Sequence, residues 1–426
     1  MKTIVFIGSY KSGSSYEAIR AAEELRYYTV LLTDREPVKI TDYLYAHSVR
    51  VCDISRIGEA RKAILQLQLN HLDICAVVSF IDPHCHTAAV LSREFGLRGP
   101  TEAAVAAMQD KIRSRQMLAG TPYAPYYRVV SDPAVTAGLA AEMPLCLKSP
   151  MSSSSKDVYK VWNPRQYRAA FQHLRAKYPD TPILAEKYLD GPQFLVETLT
   201  VNGRTHIAAV VEQEVTYTGR FIITGYQVVT ERAGEAYRSL EATAVSIIQA
   251  HGLRDGPCHL ELRRAQGRWG LIEVNPRIAG GAMNLFIQTA YGLDLVKETL
   301  KAALGQEPDL TAKHTKEAFL QYVVVPQGGV LAKVTGKQKA RQSPGVEHVY
   351  IKPRKGQVLV PPTSMGHRYA YVIATGAAAK EARSNAKAAA ANIVFHLYPK
   401  EGGAEYVTMG DLQAFGGHVA IADEVE

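Results

Sequence analysis

The side chains most able to do chemistry in this sequence lie on two short apolar stretches on either side of Gly267. Successive side chains of a β-strand point to opposite faces, so alternate residues share a face. As strands, the two stretches place Glu261 on a face with His259, and Glu273 on a face with Asn275. A loop of odd length centred on Gly267 puts Glu261 directly opposite Glu273, whereas a two-residue loop puts them on opposite faces. The residues expected beneath them are Leu260, Leu262, Ile272 and Val274.

Two opposed carboxylates repel each other unless a cation lies between them. Glu261, Glu273 and the amide oxygen of Asn275 form a hard oxygen donor set without a histidine or cysteine cluster. Such a set suits magnesium, which keeps several waters and accepts phosphate oxygens. The pattern therefore predicts a magnesium site, and an acidic hairpin exposed to solvent is the alternative.

Further charged residues accompany this hairpin. Arg277 follows it and precedes Gly280-Gly281, so a guanidinium fork and close backbone N–H groups could bind a carboxylate or a phosphoryl oxygen. Lys111 follows an aspartate, and Lys148 ends a predicted strand before the serines at 152–155. A lone lysine is most often solvated, so only the combination indicates a site.

The histidines near a proline, in Asp82-Pro83-His84-Cys85-His86, lack a third metal ligand close by. This segment is expected to begin a helix rather than to bind a metal, because proline favours the first helical turn.

The elements that must position these residues follow from the hydrophobic patterns. Short β-branched runs alternate with helical stretches over the first hundred residues, which predicts a parallel α/β sheet. The loop Gly8–Ser15 lacks the lysine of a Walker phosphate loop. The middle of the chain predicts an α+β arrangement, and a third segment ends in an alanine-rich helix expected over Lys380–Tyr398.

Composition excludes several classes of protein. The chain has 426 residues, of which 47% are hydrophobic, and no apolar run approaches the roughly 20 residues of a membrane-spanning helix. No signal peptide is evident, so a cytoplasmic protein without membrane contact is expected. The five cysteines form no Cys-x-x-Cys pair, and the net charge of +8 comes without an arginine-aromatic RNA motif, so nucleic acid is not an expected partner.

Taken in order, these residues resemble the ATP-grasp superfamily of carboxylate–amine ligases. The series that carries the resemblance is Asp110-Lys111, Lys148, Glu186-x-Tyr188-Leu189-x-Gly191, Val196-Glu197, Glu261 and Glu273-x-Asn275-x-Arg277. The resemblance implies an α/β and α+β protein in three parts. These are an N-terminal parallel α/β domain at 1–107, an ATP-grasp domain at 108–308 split into two subdomains near 185–190, and a C-terminal lid-like α+β domain at 309–426.

The resemblance also implies ATP and magnesium as cofactors, with two magnesium ions expected and manganese as an alternative. Its expected residue roles are the following. Lys111 and Lys148 hold the ATP phosphates, Glu186 with the Tyr188-Leu189 backbone binds adenine, and Glu197 meets the ribose. Glu261, Glu273 and Asn275 hold magnesium, Arg277 and Lys148 are catalytic, and Arg277, Gly280, Gly281, His259 and His84 contact substrate. The loop after Lys148 departs from the family pattern because it carries serines where glycines are usual.

The implied activity is phosphorylation of a carboxylate to an acyl-phosphate, which an amine then attacks. The Gly-Pro at 191–192 and the run from Glu273 to Gly281 look most like L-amino acid ligases that make dipeptides. The alternatives are a carboxylase-type or purine-pathway enzyme that uses bicarbonate or formate, and a non-catalytic nucleotide-binding protein. The expected partners are a small-molecule carboxylate and amine, and a homodimer is expected by analogy only.

Overall fold

The computed structural model describes residues 1–35, 42–134, 136–150, 157–217, 220–399 and 418–421. Within these residues no helix is long and apolar enough to cross a membrane.

The N-terminal part is a four-stranded parallel sheet of order β3-β2-β1-β4, as the alternating pattern predicted. Its strands are β1 (Lys2–Ile7), β2 (Tyr28–Thr33), β3 (Ser48–Val51) and β4 (Asp73–Val78), and its helices are α1 (Ser14–Glu24), α2 (Ile57–Leu69) and α3 (Asp82–Glu94). Residues 3–7 of β1 are all buried, because helices cover both faces of a parallel sheet.

A small antiparallel sheet of order β5-β8-β6-β7 follows. Its strands are β5 (Tyr127–Val130), β6 (Leu145–Lys148), β7 (Val158–Val161) and β8 (Ile183–Lys187). The helices of this part are α4 (Glu102–Gln109), α5 (Lys111–Met117), α6 (Ala137–Ala141) and α7 (Pro164–Lys177). The serines at 152–155 lie outside the described residues.

The largest unit is an eight-stranded antiparallel sheet of order β13-β12-β9-β10-β11-β14-β18-β16. Its strands are β9 (Gln193–Val201), β10 (Arg204–Tyr217), β11 (Phe221–Val228), β12 (Gly256–Ala265), β13 (Arg268–Asn275), β14 (Glu317–Val323), β16 (Val346–Ile351) and β18 (Ala370–Gly376). The helices α8 (Glu235–Ala250), α9 (Met283–Tyr291) and α10 (Leu295–Ala303) pack with it. The sheet is therefore continuous across the predicted domain boundary at 308/309.

The remaining C-terminal strands form a second small sheet, of order β17-β15-β19-β20. They are β15 (Gly329–Thr335), β17 (Val358–Leu359), β19 (Val394–Tyr398) and β20 (His418–Ile421), and the helices here are α11 (Lys337–Arg341) and α12 (Ala379–Ala390).

The predicted helix over Lys380–Tyr398 is wrong in its second half. Helix α12 ends at Ala390, and residues 394–398 form the strand β19. In this strand Phe395 and Leu397 are buried, whereas their neighbours are more exposed. This is the two-residue period of a strand, which the preceding alanines concealed.

The hairpin of β12 and β13 brings Glu261 opposite Glu273 although its loop has two residues, the length that was expected to put them on opposite faces. Ala265 pairs with Arg268, so the turn has two residues, Gln266 and Gly267, both with positive φ. A β-bulge restores the pairing, because the register shifts at Ile272 between the Leu262–Leu271 pair and the Glu261–Glu273 pair.

Ile272 was expected to be buried beneath the acids, but it is only partly buried. Because of the bulge, Leu271 takes that place and is fully buried.

Two hydrophobic clusters lie on opposite faces of the central sheet at β9. Leu195 and Leu199 belong to one, which includes α9, and Val196 belongs to the other, where it meets α8 and the β12–β13 hairpin. Both acid-bearing strands are therefore anchored by buried apolar side chains on one face.

The turn between β8 and β9 depends on a glycine. Gly191 has a φ of +150°, and a Cβ there would lie 2.0 Å from the carbonyl oxygen of Arg264 in β12. We expect Gly191→Ala to lower the free energy of unfolding by about 3 kcal/mol or to prevent folding, since both strain and a backbone clash oppose it. Gly267→Ala is the matched control, because its φ is +77° but a Cβ there meets no atom within 4 Å. Urea denaturation should show a loss of only about 1 kcal/mol for the control, and equal losses for the two variants would contradict this account.

Candidate active site

Glu261 and Glu273 form the centre of the candidate site. Each is held by a polar neighbour: the Gln193 amide Nε2 donates to Glu261 Oε2 at 3.1 Å, and the Lys111 Nζ lies 3.0 Å from Glu273 Oε1. Gln193 is itself fixed by Arg263, whose Nε donates to Gln193 Oε1 at 2.8 Å. The two carboxylates are thus positioned by β9, β12, β13 and α5.

The electrostatics of the two acids differ. Burial and the neighbouring Glu273 raise the pKa of Glu261. Burial also acts to raise the pKa of Glu273, but Lys111 and Lys148 outweigh burial and hold that pKa below its usual range. A second cation beside Glu261 would stabilise both acids in the ionised form.

His259 fixes the orientation of the Asn275 amide. His259 Nδ1 lies 2.9 Å from the Arg277 carbonyl oxygen, so this nitrogen carries the proton and donates. Nε2 then accepts from Asn275 Nδ2 at 3.1 Å, which directs the Asn275 Oδ1 away from the imidazole. Burial lowers the pKa of His259 to about 4, so the ring is neutral near pH 7.

The donor set fits magnesium by its chemistry. It consists of two carboxylates and an amide oxygen, all hard oxygen ligands. The described parts of the chain contain no group of three or more histidine, cysteine, aspartate or glutamate residues that could hold a metal. Asp82–His86 begins a helix as expected, since α3 starts at Asp82 with a proline in its first turn.

The adenine role predicted for Glu186 does not match its position. Its carboxylate is buried between Lys148, with which it forms an ion pair, and Arg115, whose Nε lies 2.5 Å from Glu186 Oε1. Burial alone would raise the pKa of Glu186, but Arg115 and Lys148 outweigh it and lower that pKa. Glu186 therefore positions Lys148 in this structure, because both of its oxygens are already occupied.

Two backbone groups of Tyr188 and Leu189, which were expected to bind adenine, make hydrogen bonds within the protein. The Tyr188 N–H donates to the Pro144 carbonyl at 2.9 Å, and the Leu189 carbonyl accepts from Arg263 Nη1 at 2.8 Å. The Tyr188 ring is covered by Lys160, whose Nζ lies 3.4 Å from the ring centroid.

The ribose role predicted for Glu197 is contradicted by burial. Glu197 has no exposed surface, and its Oε1 accepts from the Ala279 N–H at 3.0 Å. A sugar could not reach this carboxylate, so it instead holds the loop that follows Arg277.

Arg277 joins the hairpin to the N-terminal sheet by an ion pair with Asp82, at the start of α3. The Gly280-Gly281 loop nearby is exposed and packs against the first loop of the chain: a Cβ on Gly13 would lie 2.9 Å from the Gly281 carbonyl oxygen.

His84 lies on the same helix as Asp82. Only 9% of it is exposed, its Nδ1 has no hydrogen-bond partner among the described residues, and burial lowers its pKa.

The structure thus brings Lys111, His259, Glu261, Glu273 and Asn275 together. Lys148 is near enough to act on the pKa of Glu273, and the Arg277 carbonyl accepts from His259. Lys111 Nζ also lies 3.5 Å from the carbonyl oxygen of Pro150, at the start of the serine loop.

Comparison with known proteins identifies the fold. The family model of the ATP-grasp domain matches residues 141–284, and that of the L-amino acid ligase C-terminal domain 2 matches residues 321–398. The crystal structure of an L-amino acid ligase from Bacillus licheniformis superposes with a TM-score of 0.81 at 17% identity, over 93% of this chain and 99% of that one. The chain has the ATP-grasp fold. The resemblance to the ATP-grasp superfamily, and to its L-amino acid ligases, is thereby confirmed.

Sequence relatives of this ATP-grasp chain are distant. An uncharacterized protein of Sinorhizobium fredii is 25% identical over 413 residues, which are 93% of this chain and 84% of that protein. An L-arginine-specific L-amino acid ligase of Bacillus subtilis is 22% identical over 293 residues, which are 66% of this chain and 70% of that protein.

Sequence reasoning missed three residues of the ATP-grasp site. Arg115 lies one helical turn after Lys111, and this i,i+4 spacing on α5 could have indicated it. Asp82 was noted only as the start of a helix, and its pairing with Arg277 spans 195 residues. Gln193 follows the Gly191-Pro192 turn, but no local pattern identifies its contact with Glu261.

The buried ion pairs of Glu186 should be strongly coupled. We expect Arg115→Met to lower the free energy of unfolding by about 3–5 kcal/mol, because it removes one of two charges that compensate a buried carboxylate. Adding Glu186→Gln should cost less than the sum of the single changes, since the charge left uncompensated by the first change is removed. A double-mutant cycle by urea denaturation measures this coupling, and strictly additive losses would show that there is none.

Glu197 should make stability fall as pH rises. Burial raises the pKa of Glu197 from 4.5 to about 8, so between these values the folded chain retains a proton that the unfolded chain loses. Unfolding then releases a proton, and the free energy of unfolding decreases with increasing pH. Glu197→Gln stays neutral, so its unfolding free energy should fall less from about pH 5 to about pH 8, with a difference of at most a few kcal/mol. Identical pH profiles for variant and wild type would refute the raised pKa.

Proposed function

We propose that this protein uses ATP to phosphorylate a carboxylate and then couples the acyl group to an amine, with release of ADP and phosphate. The observation that carries the proposal is the convergence of Glu261 and Glu273 with Asn275 beside Lys111. The two family matches support a ligase, and the arginine-specific relative supports amino acids as substrates.

Each charged residue has a role that its position supports. Glu261, Glu273 and the Asn275 oxygen would hold magnesium, which when bound would neutralise charge on the terminal phosphates of ATP. Lys111 and Lys148 would bind those phosphates, and each is already held in place by a carboxylate, Glu273 and Glu186 respectively.

Arg277 acts by electrostatic stabilisation. A carboxylate resists attack by an amine because its oxygen is a poor leaving group, and phosphorylation supplies a good one. Negative charge gathers on the transferring phosphoryl group, and a guanidinium that Asp82 holds in a fixed orientation stabilises it without reorganisation.

No protein nucleophile takes part. The amine attacks the acyl carbon, the carbon–oxygen bond to phosphate breaks, and the amine loses a proton. Water must be excluded until this attack, since an acyl-phosphate hydrolyses readily. Gly280, Gly281 and His84 keep the substrate role that the resemblance implies. His259 is buried and both of its ring nitrogens are engaged, by the Arg277 carbonyl and the Asn275 amide, so it would act through Asn275.

The proposal is tested by measuring phosphate release from ATP across a panel of amino acids, singly and in pairs, with mass spectrometry of the products. Release that depends on amino acids, with a dipeptide product, supports the ligase. Release that requires bicarbonate or formate instead would favour a carboxylase or purine-pathway activity. The absence of release under all conditions would favour a nucleotide-binding protein.

Glu273→Gln removes one charge from the magnesium site and keeps the shape of the side chain. We expect turnover to fall by about 100-fold or more, because stabilisation of the phosphoryl group is lost, while the circular dichroism spectrum is unchanged. The control is Glu347→Gln, which changes a surface glutamate paired with Lys316 and should retain full activity. Near-normal turnover of Glu273→Gln would refute the metal assignment.

A further inference from the structure

A second arginine faces the site from the C-terminal part of the chain. Arg368 follows a short 3-10 helix (Met365–His367) and precedes β18. Its guanidinium carbon lies 3.8 Å from the centroid of the Tyr322 ring in β14, so the two planar groups are in close contact. Arg368 is half-buried.

The hydrogen bonds of Arg368 leave part of its fork for a ligand. Nε donates to the Met365 carbonyl at 3.1 Å, and Nη1 donates to the Ile223 carbonyl at 3.3 Å. An arginine has five N–H donors, so these two carbonyls leave further donors for a ligand.

The charge of Arg368 is not matched by a contacting carboxylate. Lys111, Lys148 and Arg277 each form an ion pair with an acid of the site. Among the described residues no acid lies within 4.0 Å of the Arg368 guanidinium, and burial raises the pKa of Tyr226 to about 12, so that this neighbour is neutral. A half-buried guanidinium without a contacting anion favours an anionic ligand.

The position of Arg368 separates it from the lysines of the nucleotide side. The Tyr322 ring beneath Arg368 packs against Tyr226, with 6.0 Å between the ring centroids, and Tyr226 pairs with Gln213 of β10. Gln193 Nε2 donates both to Gln213 Oε1 and to Glu261 Oε2, which places Arg368 on the Glu261 side of the acid pair. Lys111 and Lys148 act on Glu273 instead.

Tyr322, the residue beneath the guanidinium, reaches the substrate loop. Its hydroxyl accepts from the Ala282 N–H at 3.4 Å and lies 3.0 Å from the position of a Cβ on Gly281. Tyr322 therefore connects Arg368 to the Gly280-Gly281 loop that is assigned to the substrate.

We propose that Arg368 is the residue that binds the carboxylate of the acceptor amino acid. This inference rests on the proposed function. The carboxylate that is phosphorylated loses its charge during the reaction, whereas the carboxylate of an acceptor amino acid stays ionised from binding to product. A fixed guanidinium fork suits the permanent charge, because it contributes equally at every stage.

The test compares acceptors with and without a carboxylate. L-Alanine and L-alaninamide are offered as acceptors at saturating ATP and donor, and L-alaninamide can act only as an acceptor because it has no carboxylate to phosphorylate. If neither is used, the acceptor amino acid that gives most product in the amino acid panel and its carboxamide replace them. For the wild type we expect a KM for the amino acid about 10-fold to 100-fold below that for its carboxamide, the range expected for hydrogen bonds to a charged group.

Arg368→Met should remove this preference by raising the KM for the amino acid alone, and Arg368→Lys, which keeps the charge but loses the fork, should remove part of it. The KM for ATP and kcat with the carboxamide should be unchanged. An equal rise in the KM for both acceptors would overturn the proposal. A raised KM for ATP would also overturn it, because it would assign Arg368 to a nucleotide phosphate. The control is Arg383→Met, since Arg383 is already paired with Glu214 and should not affect either KM.

A binding measurement separates failure of this inference from failure of the proposed function. Thermal unfolding is followed with ADP and magnesium, and then with added L-alanine or L-alaninamide. Stabilisation by ADP in the wild type and in Arg368→Met, with an extra shift by L-alanine in the wild type only, supports the inference. If ADP stabilises the wild type and both acceptors then shift the unfolding temperature equally, only the inference is overturned. If ADP does not change the unfolding temperature, the proposed function itself is contradicted.

Discussion

The repulsion between Glu261 and Glu273 is the constraint around which the rest of the site is arranged. Two acids placed opposite each other on neighbouring strands oppose folding, so the surrounding elements must compensate for them. Lys111 does so for Glu273, and Gln193 does so for Glu261 by a neutral hydrogen bond. The compensation is uneven, and Glu261 is left with a raised pKa. That residual imbalance is what makes the pair suited to a divalent cation.

The hairpin shows how far a sequence pattern can determine such a site. Alternation of polar and apolar residues left two arrangements open, and for a two-residue loop it predicted that Glu261 and Glu273 lie on opposite faces, whereas they are opposed. The loop is two residues long, and a bulge at Ile272 corrects the register, an irregularity that alternation alone does not reveal. The parallel α/β sheet was also predictable, because its strands and helices have distinct hydrophobic periods.

The errors share a physical cause, which is that the partners are distant in sequence. Glu186 and Glu197 were assigned from a family pattern, but their carboxylates are taken by Arg115 and by the Ala279 N–H, 71 and 82 residues away. The alanine-rich helix was extended too far because Ala390 is followed by apolar residues that suit either a helix or a strand. Residues 394–398 form a strand because they pair with β15.

Helix α5 contacts both halves of the site. Its Lys111 reaches Glu273 on the large sheet, and its Arg115 reaches Glu186 on the small sheet while also donating to the Ile272 carbonyl at the bulge. The helix has only seven residues, and the side chains of Lys111 and Arg115 lie about one helical turn apart on it. Because α5 is tied to both sheets by these contacts, a displacement of the small sheet would move the β12–β13 hairpin with it.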